Sequence, residues 1–225
     1  MNSKTERTAL PHPLVTPTRV LCIRHGETDW NAAGRWQGHA PVPLNAAGYA
    51  QSQALGRYLA RNGWGIAAIY SSDLPRAMQT AQAIAEALGL VVRPDSRLRE
   101  TDLGEWQGLT REEVLAWDAE RYAAYLADWR RIPAPGGEAR LAVGARARAA
   151  FDEIAAHHAG QTVALVTHGG TLGMLLETLF GPLERPSLTN TSITVIERTT
   201  PEAPWVLVRV AWAPHLDEQP LGETW

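Results

Sequence analysis

The sequence predicts an α/β protein: a three-layer α/β/α sandwich with a mainly parallel sheet and a small helical cap insertion. Two observations lead to this prediction. Short apolar runs typical of buried strands recur along the chain, and the first of them alternate with longer amphipathic segments typical of crossover helices. Because 225 residues with 45% apolar composition can bury one sizeable core, we expect one domain over residues 17–225 after a mobile tail over residues 1–16.

The strands and helices are predicted from apolar spacing and from residues typical of helix ends. The five strand-like runs cover residues 20–23, 66–70, 163–166, 193–196 and 206–210. Four helices separate or follow them. The first is capped by Asn45 and ends near Asn62, the second runs from Pro75 to Leu88 before Gly89, the third starts near Glu138, and the fourth follows Gly169 and Gly170.

Residues 110–135 interrupt this alternation, because their pattern is helical and no strand follows before the next helix. We interpret them as an inserted cap. Apolar walls of a binding site are expected from its aromatic residues, which are Trp117, Tyr122, Tyr125 and Trp129. Its candidate substrate anchors are Arg121, Arg130 and Arg131. Arginines on an exposed helix are, however, usually solvated.

Charge and cysteine content restrict the class of partner. The chain carries 21 basic and 24 acidic residues, well mixed, for a formal net charge of −3. We therefore expect a small-molecule partner, with no nucleic acid and no membrane. The one cysteine, Cys22, lies in an apolar run, which excludes a disulfide framework and a cysteine-based zinc site. A cytoplasmic protein is predicted, and a dimer is possible.

Polar clusters follow three of the predicted strands. They are Arg24-His25-Gly26-Glu27-Thr28, Ser71-Ser72-Asp73-Leu74-Pro75-Arg76 and Thr167-His168-Gly169-Gly170. Ligands of open α/β sheets bind at the carboxyl ends of strands, so we expect these clusters to converge. Two arginines and two histidines beside helix N-termini suit a compact dianion, and phosphate fits best.

These clusters belong to a longer series of motifs in order along residues 20–215. The series is Arg24-His25-Gly26-Glu27-Thr28 with Asn31, Gly34-Arg35-Trp36-Gln37-Gly38, Pro43-Leu44, Ser71-Ser72-Asp73-Leu74 with Arg76, Thr80 and Ala81, Leu98-Arg99-Glu100, Gly104-Glu105-Trp106 with Gly108, Pro135-Gly136-Gly137-Glu138 and Thr167-His168-Gly169. It resembles the histidine phosphatase superfamily, the group that contains the cofactor-dependent phosphoglycerate mutases. The resemblance implies a phosphoryl-transfer enzyme of the predicted fold.

The resemblance also implies roles for individual residues. His25 would be the nucleophile, and the phosphoryl group would be held by Arg24, Asn31, Arg76, His168 and Gly169. Guanidinium groups near an imidazole disfavour its protonated form and neutralise phosphoryl charge. We therefore expect a neutral His25 and neither a metal nor a cofactor.

The general acid that protonates the leaving oxygen is placed by the family pattern at Glu100. Composition alone leaves Glu27, Asp102 and Glu105 as competitors, and a structural alternative is that Glu100 pairs only with Arg97 or Arg99. The remaining histidines of the fold are expected to be structural, and they are His39, His157, His158 and His215.

The segment after Glu100 separates the possible activities. Phosphoglycerate mutases typically continue with an arginine, a Tyr-Gly pair and a Gly-Leu-Asn-Lys run, whereas residues 101–110 here are similar to the phosphatase branch. The sequence therefore favours phosphomonoester hydrolysis through a phosphohistidine on His25, with a small-molecule substrate. The alternatives are a cofactor-dependent phosphoglycerate mutase and, from another class, a non-catalytic phospho-ligand sensor or interaction protein.

Overall fold

The computed structural model describes residues 16–182 and 187–217, and within them the chain forms one six-stranded sheet. The strands are β1 (Thr18–Arg24), β2 (Ile66–Ser71), β3 (Val92–Pro94), β4 (Thr162–Thr167), β5 (Ile193–Arg198) and β6 (Val206–Trp212). Their order is β3-β2-β4-β1-β5-β6. The first four in this order pair in parallel, whereas β5 pairs antiparallel with β1 and β6 pairs antiparallel with β5. The predicted mainly parallel sheet is therefore confirmed.

Eight helices accompany the sheet in the described residues. They are α1 (Asp29–Ala32), α2 (Ala46–Arg61), α3 (Pro75–Leu88), α4 (Arg111–Trp117), α5 (Ala119–Ala127), α6 (Arg140–His157), α7 (Gly169–Phe180) and α8 (Pro214–Asp217). The predicted ends of two long helices are confirmed by their capping contacts. Asn45 Oδ1 accepts the Gly48 N–H at the start of α2, and Gly89 ends α3 with a φ of 66°.

The helices cover both faces of the sheet, which confirms the three-layer sandwich. On one face, α6 and α7 pack Phe151 and Leu172 against the strand residues Val20 and Leu165. On the other, α2 and α3 pack against alternate residues of the same strands, including Leu21. This alternation follows from the period of two in a strand, which sends neighbouring side chains to opposite faces.

The predicted cap segment contains α4 and α5, which build a small core of their own. Trp106 is fully buried there, with Tyr122 and Tyr125 packed beside it. The Trp106 indole N–H donates to Asp118 Oδ2 at 2.8 Å, so its one polar atom is satisfied. Leu103, which follows Glu100 closely in the chain, is part of this core. Glu100 accepts N–H groups at the start of α7, directly after β4, so this segment links the cap to that end of the sheet.

The structure contains elements that were not predicted, namely β3 and the one-turn helices α1 and α8, and it shifts the start of one predicted helix. Strand β3 was not predicted, because three residues ending in Pro94 are too few for periodicity; proline is tolerated there since β3 is an edge strand. Helix α6 begins at Arg140, two residues after Glu138, because the backbone at Ala139 is still extended; the Glu138 carboxylate accepts from Arg146 and from the Asp102 N–H. Residues 1–15 of the predicted tail lie outside the described residues.

Two further expectations concern Cys22 and membranes. Cys22 is fully buried in β1, and burial raises the pKa of its thiol to about 12. Among the helices of the described residues, none combines the length and the apolar character needed to cross a bilayer.

Candidate active site

The three polar clusters converge, because β2, β4 and β1 are neighbours in the sheet and end at the same edge. A cavity of about 360 Å³ opens there. Its walls include most of the predicted site residues, namely Arg24, His25, Asn31, Arg76, Glu100 and Gly169. His168 lies directly behind His25, with the two ring centroids 5.1 Å apart. The sequence therefore identified residues that the fold brings together from four separate segments.

One ring nitrogen of His25 is hydrogen-bonded to the backbone, and the other is free to act as a nucleophile. His25 is 3% exposed, and its Nδ1 lies 2.7 Å from the Gly26 carbonyl oxygen. A carbonyl only accepts, so this contact assigns the hydrogen to Nδ1 and leaves a lone pair on Nε2. Burial, with the charges of Arg76 and Arg24, lowers the pKa of His25 well below 6.5.

We expect this ring to stay neutral at pH values where an exposed histidine is mostly protonated. Side-chain ¹⁵N NMR should show the Nδ1–H tautomer of His25 persisting below pH 6.5, with the urea-unfolded protein as the reference. Since the unfolded state then binds more protons, stability should fall as pH drops below 6.5 toward the folded-state pKa. Half-protonation of folded His25 at or above pH 6.5 would contradict this arrangement.

The two arginines are anchored by backbone carbonyls, and each has a buried Nε–H that these contacts do not engage. Arg24 Nη1 donates to the Leu188 carbonyl at 2.5 Å, and Arg76 donates to those of Ala40 and Gly38 at 3.1 and 2.8 Å. Burial lowers the pKa of Arg76 to about 10, which leaves it charged at neutral pH. The Nε of each arginine is buried without a partner in the described residues, and such donors call for an anion.

His168 adds a third buried donor. Its Nε2 lies 2.8 Å from Ser72 Oγ, which also accepts the Leu74 N–H. Its Nδ1 has no partner within the described residues. Burial and the charge of Arg76 lower the pKa of His168 well below 6.5. An anion beside Nδ1 selects the tautomer in which Ser72 donates to Nε2 and Nδ1 carries the hydrogen. Ser72 is thus a positioning residue whose role the sequence did not reveal.

Asn31 is oriented by a helix start. It is the third residue of α1 and forms a capping box with Thr28. Its Oδ1 accepts the Thr28 N–H at 3.2 Å and the Asn190 amide at 3.3 Å. These donors fix the amide so that Nδ2 remains as the donor of a side chain that lines the cavity.

The Glu100 carboxylate lies at the N-terminus of α7. Oε1 accepts the N–H groups of Thr101 and Thr171 at 2.8 and 3.0 Å, and Oε2 accepts that of Gly170 at 2.9 Å. A Cβ at position 170 would press into this carboxylate and displace it. The Thr171 hydroxyl also lies 3.2 Å from Oε1, so Oε2 is the oxygen with spare capacity.

The competing carboxylates are engaged away from the cavity lining. Glu27 accepts from the Asn45 amide at 2.9 Å, Asp102 accepts from the Gly104 N–H at 2.9 Å, and Glu105 pairs with Arg121 at 3.2 Å. The structural alternative for Glu100 is wrong within the described residues. There Arg97 pairs with Asp95 and Glu153, and Arg99 pairs with Asp73.

The cap contributes differently from the prediction. Of its aromatic residues Tyr125 lines the cavity, whereas Trp117 is 58% exposed and Tyr122 and Trp129 pack in or against the cap core. The predicted anchors are neutralised elsewhere, since Arg121, Arg130 and Arg131 pair with Asp118, Glu177 and Asp128 respectively. In their place, the cavity is lined by Arg35, Trp36, Gln37 and Arg140.

The four other histidines of the described residues make structural contacts. His39 Nε2 lies 2.7 Å from the Glu100 carbonyl oxygen, behind the acid. His215 is buried, with Nε2 2.9 Å from Thr191 Oγ1. His157 is the last residue of α6, and His158 follows it and contacts Gln161 at 2.7 Å.

The sequence and the fold are similar to those of known proteins. The sequence profile described as "Histidine phosphatase superfamily (branch 1)" matches residues 20–212. A bifunctional protein of Mycobacterium tuberculosis is 44% identical over 161 residues, which are 72% of this chain and 44% of that protein. The chain thus spans less than half the length of such mycobacterial relatives.

Two further relatives match over more of their own length. The metal-independent phosphoserine phosphatase of Arabidopsis thaliana is 36% identical over 183 residues, or 80% of this chain and 76% of that protein. The solved structure of mycobacterial glucosyl-3-phosphoglycerate phosphatase with VO3 is 33% identical, with a TM-score of 0.76 over 86% of this chain and 99% of that one. These likenesses confirm the resemblance that the motifs indicated.

Proposed function

We propose that this chain, which belongs to the histidine phosphatase superfamily (branch 1), hydrolyses small phosphomonoesters through a phosphohistidine on His25. One observation carries the proposal: a neutral imidazole with a free Nε2 lies among three buried donors that have no partner in the described residues. Those donors are Arg24 Nε, Arg76 Nε and His168 Nδ1.

In the first step, His25 Nε2 attacks phosphorus and the P–O bond to the leaving alcohol breaks. The transition state is loose, so catalysis consists mainly of positioning and charge neutralisation. Arg24, Arg76 and His168 supply donors to the phosphoryl oxygens, and Asn31 Nδ2 adds another. Because these groups supply the positive charge that metal ions supply elsewhere, we propose a metal-independent reaction.

The alcohol leaves with a proton, and we assign Glu100 Oε2 as the donor of that proton. In the second step, the carboxylate at the same oxygen takes a proton from water, whose oxygen attacks the phosphohistidine. The N–P bond then breaks, and His25 and inorganic phosphate are released. Its place in the cavity wall supports Glu100 in both steps, since the competing carboxylates do not line the cavity.

We expect wild-type protein to release free phosphate from several phosphomonoesters at an unchanged rate in excess chelator. Vanadate, which mimics five-coordinate phosphorus, should inhibit competitively. With 2- or 3-phosphoglycerate the product should be phosphate, and 2,3-bisphosphoglycerate should not start efficient isomerisation. The measurement is a phosphate-release assay in parallel with chromatography of the two phosphoglycerates.

Each alternative predicts a different result in this assay. Fast interconversion of 2- and 3-phosphoglycerate identifies a mutase. Binding of vanadate without turnover of any phosphomonoester identifies a phospho-ligand sensor. Strict dependence on added magnesium contradicts the proposed source of positive charge.

A further inference from the structure

The cavity has cationic residues besides the phosphate cradle, which is the cluster of Arg24, Asn31, Arg76 and His168 that would hold the phosphoryl group. Two arginines that no step above uses, Arg35 and Arg140, line the cavity. Arg35 is already neutralised, since its Nη1 and Nη2 lie 2.7 and 3.0 Å from the two carboxylate oxygens of Glu113. Arg140 is different. Its Nε donates to the Tyr125 hydroxyl at 3.0 Å, and Nη1 and Nη2 have no hydrogen-bond or ion-pair partner in the described residues.

The three arginines predicted as cap anchors all have carboxylate partners, whereas Arg140 has none in the described residues. Arg121, Arg130 and Arg131 each lie within 3.0 Å of a carboxylate oxygen, and none of them lines the cavity. Arg140 lines the cavity and has only a phenol oxygen and an aromatic ring, Trp129 at 5.7 Å, beside it. Its charge is therefore compensated neither by an acid of the described residues nor by a backbone carbonyl.

The position of Arg140 in its helix makes its uncompensated positive charge more unfavourable. Arg140 is the first residue of α6, and the helix N-terminus carries the positive end of the dipole. A cation there is disfavoured unless an anion approaches it. The guanidinium is nevertheless held in place, because Tyr125 packs against Trp106 and Tyr122 with ring centroids 5.4 and 6.2 Å away.

We propose that Arg140 binds a carboxylate at the end of the substrate remote from the phosphate, so that the preferred substrates are phosphomonoesters that also carry a carboxylate. This inference rests on the proposed function. A single guanidinium matches the single charge and planar shape of a carboxylate, whereas the phosphate dianion is met by several donors in the cradle. The apolar faces of Trp36 and Leu103, also in the cavity wall, suit the carbon chain between the two anions.

Matched substrate pairs test this assignment. In each pair a carboxylate is replaced by a primary alcohol: 3-phosphoglycerate with glycerol 3-phosphate, and the longer 6-phosphogluconate with sorbitol 6-phosphate. For at least one pair, wild-type kcat/KM should favour the carboxylate by roughly 10- to 100-fold, the size of a lost charge-assisted hydrogen bond. Arg140→Gln should bring that ratio close to one by raising KM, with kcat and the alcohol partner nearly unchanged. Arg140→Lys should restore part of the preference.

Arg131→Gln is the matched control, because Arg131 is 75% exposed and pairs with Asp128 outside the cavity. It should retain the wild-type ratio. An unchanged ratio in Arg140→Gln, or equal losses with both members of each pair, overturns the role of Arg140 alone while leaving the hydrolase intact. If the wild-type protein releases phosphate from none of the four compounds, the proposed function and this inference are overturned together.

Discussion

Replacement of His25 by alanine is expected to abolish turnover while the fold persists. The nucleophile has no substitute, since the only other imidazole near it, within the described residues, is His168, whose Nε2 is engaged with Ser72. Loss of a covalent nucleophile from a serine protease costs about six orders of magnitude in kcat. The variant loses the contact of Nδ1 with the Gly26 carbonyl, so we expect only a modest decrease in unfolding free energy, on the order of 1 kcal/mol.

The covalent intermediate is the more direct measurement. Rapid acid-free quenching of wild-type protein with ³²P-labelled substrate should trap phosphate in a bond that is labile to acid and stable to alkali, as expected for a phosphoramidate on imidazole. His25→Ala should trap none, whereas the surface variant His157→Ala should label as wild type does. Label on a serine or an aspartate, or full activity in His25→Ala, would refute the mechanism.

The cradle was predictable because its residues follow strand ends. A strand that ends in a polar cluster fixes which edge of a parallel sheet those side chains occupy, so Arg24, Arg76 and His168 could be assigned to one pocket from segments far apart in sequence. Their orphaned donors could not be predicted. Those depend on which carbonyls, such as that of Leu188, engage the remaining nitrogens of each guanidinium.

The contacts of the cap side chains could not be predicted in the same detail, because the cap helices pack against each other and not against the sheet. An amphipathic pattern locates Tyr125 on a buried face but does not say that it reaches the cavity. Arg130 and Arg131 are suitable anchors by residue type, but the fold pairs them with the carboxylates of Glu177 and Asp128. Arg140 starts a helix rich in alanine and arginine, and this composition does not show which of its arginines lines a cavity.

Replacement of Glu100 by glutamine is expected to slow alkyl phosphates far more than aryl phosphates. An alkoxide leaves poorly without a proton, so kcat/KM for glycerol 3-phosphate should fall by roughly 100- to 10,000-fold, the range typical of a positioned general acid. A nitrophenolate leaves as an anion, so kcat/KM for nitrophenyl phosphate should fall much less. The quantity to compare is kcat/KM, which reports steps through the first irreversible one, because loss of the base in the second step lowers kcat for both esters.

The structure supplies the control that this comparison needs. Glutamine can keep an acceptor toward Thr101 and Thr171, but its amide then faces the Gly170 N–H as donor against donor. Damage of that kind displaces the start of α7, and with it His168, so it should slow both esters equally. Asp102→Asn provides the matched variant, because Asp102 is a neighbouring carboxylate that accepts a backbone N–H outside the cavity lining, and it should retain the wild-type ratio of the two esters. Equal losses with alkyl and aryl esters in Glu100→Gln would identify Glu100 as the residue that holds the N-terminus of α7, and the proton donor would then have to be another group.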